Sequence, residues 1–176
     1  DPARGCPGAT RPEIEDAFEV ALNLSRRLPQ SGVRLRAGAA YSQASTHFPS
    51  SPTLYGDVET WSAGASAEFS QLRIGGSYLA SNNGITGQPG DYSAWAVSAA
   101  VPLGKVEAVA ELAGAEDEAA RLTSDSWQIG LAWAPDEAWR LAAGWRDVDT
   151  EALSPGLPLA APEGRRSGIV IEITRS

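Results

Sequence analysis

Hydrophobic and polar residues alternate along most of the chain, and nine short runs show this period of two. Residues 127–133, for example, read WQIGLAW, with the large apolar side chains on odd positions. Because successive side chains of a strand point to opposite faces, the alternation predicts β-strands with one apolar and one polar face. The nine runs are residues 18–24, 33–41, 61–69, 72–80, 95–103, 106–112, 127–133, 139–145 and 169–173. Only the first run is ambiguous, since Pro12 and the acidic residues after it also suit a helix start.

The connections between the runs alternate between short and long. The short ones are residues 29–32, 70–71, 104–105 and 134–138, and the long ones are residues 42–57, 81–92, 113–126 and 147–167. Short turns on one side and long loops on the other predict an all-β, antiparallel up-and-down barrel. The same arrangement is typical of barrels that span the bacterial outer membrane.

Composition excludes several classes of protein. A net charge of −8 argues against a nucleic-acid partner. The longest uncharged run, residues 92–104, is 13 residues long, well short of the roughly 20 that a membrane-spanning helix needs. Cys6 is the only cysteine and His47, in a predicted loop, the only histidine. We therefore expect no His/Cys metal site, no cofactor and no enzymatic activity.

Two interpretations of the apolar face compete. It is either the core of a soluble barrel or sandwich, or the lipid-facing surface of a transmembrane barrel. The nine runs carry no charge on this face, and the opposite face combines Gly, Ala and Ser with Arg and Glu. This distribution favours the transmembrane barrel. It also predicts that Leu131→Arg, on the apolar face, costs far more stability in a bilayer than Gly130→Ser on the polar face.

The aromatic residues of the apolar face sort by position along the strands. Those beside long loops are Phe18, Tyr41, Trp61, Tyr78, Trp95, Trp127 and Trp145, and those beside short turns are Phe69, Trp133 and Trp139. Amphipathic rings favour the two interfaces of a membrane, whereas a protein core has no reason to sort them into two rings. We therefore predict that these ten residues mark the membrane interfaces.

Six segments resemble the C-terminal half of Gram-negative, especially alphaproteobacterial, general-diffusion porins. They are DAFEVALNLS, VRLRAGAAYS, TWSAGASAEFSQLRIGGSYLAS, SAWAVSAAV, SWQIGLAWA and WRLAAGWRDVD. The resemblance implies a sixteen-stranded, homotrimeric outer-membrane channel through which small hydrophilic solutes and ions diffuse passively. Its partners would then be outer-membrane lipid, the solutes and two further copies of itself. Chains of that family typically end in Phe, whereas this sequence ends in Ser176.

Strand parity predicts that the nine strands are the last nine of a larger barrel. A complete single-chain bacterial barrel has an even number of strands. We therefore assign residues 1–15 to an external loop or irregular segment and residues 16–176 to barrel strands. The alternative is a complete eight-stranded barrel with a structural or adhesive role, in which residues 12–28 form a helix or plug.

Charged residues of the polar face are the candidate functional residues. The predicted pore-lining set is Arg34, Arg36, Arg73, Arg140, Arg146, Glu68, Glu107, Glu111 and Glu172. In a water-filled pore such charges set ion preference. In a narrow closed barrel they would instead fill the interior as salt bridges. Asp147, Asp149 and Glu151 form a weak candidate Ca²⁺ site in a predicted loop, although they lack the spacing of a calcium-binding loop.

Overall fold

The sheet contains all nine predicted strands. The computed structural model describes residues 13–47, 57–82, 90–135, 139–152 and 164–175. In these residues nine strands form one antiparallel sheet, and each pairs with the next along the chain. The strands are β1 (Glu13–Arg27), β2 (Arg34–His47), β3 (Val58–Glu68), β4 (Arg73–Ser81), β5 (Tyr92–Leu103), β6 (Val106–Asp117), β7 (Leu122–Trp133), β8 (Trp139–Ala152) and β9 (Gly164–Arg175). The predicted all-β, up-and-down architecture is therefore confirmed.

The ambiguous first segment is a strand. β1 pairs with β2 along its whole length, with one irregularity between Glu15 and Phe18, where Asp16 has a positive φ of 49°. The alternative that placed residues 12–28 in a helix or plug is therefore wrong for residues 13–27. β1 begins three residues before the predicted boundary at residue 16, and residues 1–12, with Cys6, lie outside the described part. Across the described ranges, no helix is long and apolar enough to cross a membrane.

The short turns close as the sequence predicts. Gly32 and Gly104 supply the positive φ values, 69° and 71°, that two of these tight turns need. The backbone N–H of Phe69 donates to the carbonyl of Leu72 at 2.7 Å and closes the β3–β4 turn. Lys105 links two turns, because its Nζ donates to the carbonyl of Pro135 at 2.7 Å.

The long connections are shorter than predicted, because the strands continue into them. Residues 113–126 were expected to be a loop, yet β6 runs to Asp117 and β7 starts at Leu122, which leaves residues 118–121 as the connection. The backbone ladder does not depend on side-chain polarity, so pairing continues beyond the point where the apolar alternation ends. The predictions of loops at residues 42–47, 113–117, 122–126, 147–152 and 164–167 are therefore wrong.

The apolar face of the sheet is its more exposed face. Leu22, Ile169 and Ile171 are each more than 70% exposed (72%, 73% and 72%). From residue 125 to residue 133 of β7, the residues on the apolar side are exposed, while those on the polar side are half-buried or buried. Among the described residues, no large side chain is fully buried. The interpretation of the apolar face as a soluble core therefore does not hold for the described part.

Two glycines bring β7 and β8 unusually close together. Gly130 and Gly144 are directly paired, and a Cβ on Gly130 would lie 2.9 Å from the carbonyl oxygen of Ala143. A Cβ on Gly144 would lie 2.5 Å from the carbonyl oxygen of Ile129. The structure thus contradicts the expectation that Gly130→Ser is mild, because its side chain would collide with backbone.

Candidate functional site

The polar face has two zones. We define it as the side of the sheet that carries Asn23, Gly38, Ser77 and Arg146; the apolar face is the opposite side. In the half of this face that is nearer the long connections, the cross-strand rows in the middle of the sheet consist mainly of small, uncharged residues. Two shallow cavities, of about 600 and 540 Å³, lie against these rows and their neighbours. Towards the short turns, the charged residues concentrate.

Strand register brings the predicted pore-lining residues onto one face. All nine occupy the polar-face positions of their strands: Arg34, Arg36, Glu68, Arg73, Glu107, Glu111, Arg140, Arg146 and Glu172. Their placement is compatible with a charged wall, while their role in conduction stays a prediction.

Glu68 of β3 lies beside two arginines of β2. Its Oε2 is 3.4 Å from Nη1 of Arg34 and 4.0 Å from Nη2 of Arg36. Arg34 and Glu68 are direct cross-strand partners, and Glu68 pairs in the same way with Arg73 of β4. One carboxylate therefore lies among three arginines.

Glu107 of β6 bridges strands that are not neighbours. Its two oxygens lie 3.2 Å from Arg73 of β4 and 3.5 Å from Arg140 of β8. The strand between each pair carries a small residue at this height, Ala100 on β5 and Ala132 on β7, and both alanines are buried. Because these two side chains are small, Glu107 can reach Arg73 and Arg140 across the intervening strands.

Arg27 is a further member of this charged zone that the sequence analysis missed. The predicted strand ended at Leu24, whereas β1 continues to Arg27, which pairs directly with Arg34. The parity that starts at Glu19 would have placed Arg27 on the polar face. The short-turn half then holds five arginines (Arg27, Arg34, Arg36, Arg73 and Arg140) against four carboxylates (Glu68, Glu107, Glu111 and Glu172), a surplus of one positive charge.

These ion pairs contribute little to the stability of the sheet. The side chains of Arg34, Arg36, Arg73 and Arg140 are 42–59% exposed, although Glu107 is only 20% exposed. Pairs this exposed typically contribute about 0–1 kcal/mol. Because the arginines outnumber the carboxylates, this half of the polar face carries a net positive charge.

The predicted interface aromatics all lie exposed on the apolar side. Towards the long connections, Tyr41 pairs with Trp61 and Tyr78 pairs with Trp95, and the rings of Trp61 and Tyr78 lie 5.1 Å apart. Trp95 also lies across Gly114 of β6, where a Cβ would come within 2.5 Å of its Nε1. The remaining members are Phe18, Trp127 and Trp145 on that side, and Phe69, Trp133 and Trp139 near the short turns. Their membrane depth stays a prediction.

The candidate calcium residues lie on a strand. Asp147, Asp149 and Glu151 belong to β8, and both oxygens of Asp147 accept hydrogen bonds from Nε of Arg165, at 2.8 and 3.0 Å. Within the described residues, no group of three or more His, Cys, Asp or Glu side chains is placed to hold a metal ion. His47, expected in a loop, is the last residue of β2.

The chain matches the model of a known protein family. A family model described as Gram-negative porin matches residues 7–153, which is most of the chain. A search of curated proteins found no match. The matched segment begins in the undescribed N-terminal residues and ends just after β8.

Proposed function

The chain belongs to the Gram-negative porin family, and we propose that its polar face lines a water-filled channel through which small hydrophilic solutes and ions diffuse passively. Membership of this family implies an outer-membrane location and indicates a channel rather than an enzyme. As the sequence resemblance implies, we expect the channel to be a homotrimer in outer-membrane lipid.

The observation that carries the proposal is the exposure of the apolar face in a single-layer sheet. Leu22, Leu131 and Ile171 are exposed, and no second layer covers them in the described part. Only a lipid environment or an apolar partner makes such a surface stable. A transmembrane strand whose outward face contacts lipid turns its other face to the lumen, and here that face is polar and charged.

The surplus of arginines near the short turns gives the channel a preference for anions. A fixed positive charge raises the local concentration of anions in a narrow lumen. Changing Arg34, Arg36, Arg73 and Arg140 together to Gln is therefore expected to lower anion permeability relative to cation permeability. The measurement is the reversal potential of the full-length protein in a planar bilayer under a salt gradient.

Salt concentration and a matched variant make this experiment specific. The shift should shrink at high salt, since the screening length falls from about 10 Å at 0.1 M to about 3 Å at 1 M. Arg26→Gln, which removes one positive charge from the apolar face of β1, should leave the reversal potential unchanged. An unchanged potential in the quadruple variant would remove these arginines from the pore wall. A folded wild-type protein that does not conduct would favour a closed barrel with a structural or adhesive role.

A further inference from the structure

Arg26 is a cation on the apolar face of the sheet. It is the second-last residue of β1, pairs directly with Leu35 of β2, and follows the exposed Leu24 on the same face. Within the described residues it makes no ion pair, and its side chain is exposed. A charge next to lipid is costly unless it finds a counter-charge or reaches the interface. Its position beside a short turn, the periplasmic side of such barrels, places it near the inner lipid leaflet.

A shallow groove of about 1210 Å³ begins at Arg26. We call it the lateral groove, and it is lined on the apolar face by Arg26, Leu35, Ala67, Ile74, Val97 and Trp127, among others. These residues belong to two adjacent cross-strand rows that run from β1 to β7. The groove is larger than either polar-face cavity, but its lining is almost wholly apolar, so it does not suit a hydrophilic solute.

The lateral groove runs from headgroup depth towards the middle of the membrane. Arg26 lies one residue from the short-turn end of β1, whereas Ile129, at the other end of the same row, lies four residues from the end of β7. Six strand spacings of ~4.8 Å give a length of about 29 Å. Ile129 therefore lies three residues deeper than Arg26, about 10 Å along a strand, which at a tilt of about 40° is roughly 8 Å of depth within an apolar band of about 25 Å.

We propose that the lateral groove binds a phospholipid of the inner leaflet, with the lipid phosphate on the guanidinium of Arg26 and an acyl chain along the apolar rows. An arginine fork matches two phosphate oxygens, which gives a charge-assisted, bidentate contact. The small residues of β2 and β3 leave the groove open, while the bulkier Leu35, Ile74 and Val97 contact the chain. This site rests on one part of the proposed function, the insertion of the protein in a membrane, and does not depend on conduction.

Native mass spectrometry of the refolded full chain in detergent, titrated with palmitoyl-oleoyl phosphatidylglycerol, tests the site. The wild type should retain one lipid, and Arg26→Ala should weaken retention roughly 10- to 100-fold, as loss of a charged hydrogen-bond contact does. Arg27→Ala removes the neighbouring charge from the polar face and should leave retention unchanged. Ala67→Leu, which fills the groove, should reduce retention, whereas Ala143→Leu, on the same face outside the groove, should not.

The outcomes separate this site from its alternatives. Equal loss in Arg26→Ala and Arg27→Ala would overturn it, because the attraction would then be non-specific. Equal retention of palmitoyl-oleoyl glycerol, which lacks the phosphate, would also overturn it. If Ala67→Leu abolished the assembly of copies and left lipid retention unchanged, the groove would be assigned to a second chain instead. Bilayer conductance is measured in parallel: a conducting protein without specific lipid retention refutes only the lipid site, whereas a folded protein that does not conduct refutes the channel.

Discussion

Leu131→Arg tests directly which face of the sheet contacts lipid. Leu131 is 57% exposed on the apolar face of β7 and lies between Trp127, in the middle of that strand, and Trp133, its last residue, which are two of the predicted interface aromatics. These two tryptophans are six positions apart, about 20 Å along a strand, so Leu131 lies only about 3 Å from their midpoint. Arginine at the midplane of a transmembrane barrel costs about 2–4 kcal/mol, and we expect Leu131→Arg to fall in that range.

The matched control is Gln128→Arg on the polar face of the same strand. Gln128 pairs with Glu111 on one side and Arg146 on the other, so an added guanidinium meets one favourable and one unfavourable charge. We expect a cost below about 1 kcal/mol. The control replaces Gly130→Ser, because a side chain at Gly130 would collide with the backbone of β8.

The assay is equilibrium unfolding by guanidinium of protein refolded into phospholipid vesicles, followed by tryptophan fluorescence. Equal destabilisation by Leu131→Arg and Gln128→Arg would refute the assignment of the two faces. A larger cost for Gln128→Arg would mean that the polar face contacts the lipid. Both variants are first checked for β-sheet content, so that a failure to refold is not mistaken for a change in stability.

Two further variants test the charged zone and the close pairing of β7 and β8. Glu107→Gln leaves Arg73 and Arg140 without their shared carboxylate, so anion preference should rise, and a reversal potential that moves towards cation preference would contradict the proposed wall. Gly144→Ala should lower the free energy of unfolding by about 1–3 kcal/mol, because its Cβ would lie 2.5 Å from the carbonyl oxygen of Ile129. The control is Gly168→Ala, whose Cβ meets nothing within 4 Å and which should change the free energy of unfolding by less than about 0.5 kcal/mol. If both glycine variants had the same effect in the vesicle assay, β7 and β8 would not be packed too closely for a side chain at Gly144.

The sequence alone was sufficient for the strands and their two faces. Alternation is a local property, since each residue of a strand points opposite to its neighbour, so Ile129 and Leu131 could be assigned to the apolar face from the sequence alone. The same parity placed Arg34 and Glu107 on the polar face. Continued past Leu24, it would also have placed Arg26 and Arg27 on opposite faces, but the apolar pattern that defined the run stopped there.

The tertiary structure decided where the strands end and which side chains meet. Pairing continues to Asp117 and from Leu122 because backbone hydrogen bonds form whether or not the side chains alternate. The meeting of Glu107 with Arg73 and Arg140 depends on the register of five strands and on two small alanines between them. The collision at Gly130, and the groove that begins at Arg26, likewise arise from cross-strand neighbours, because distances between strands are set by register and tilt rather than by local sequence.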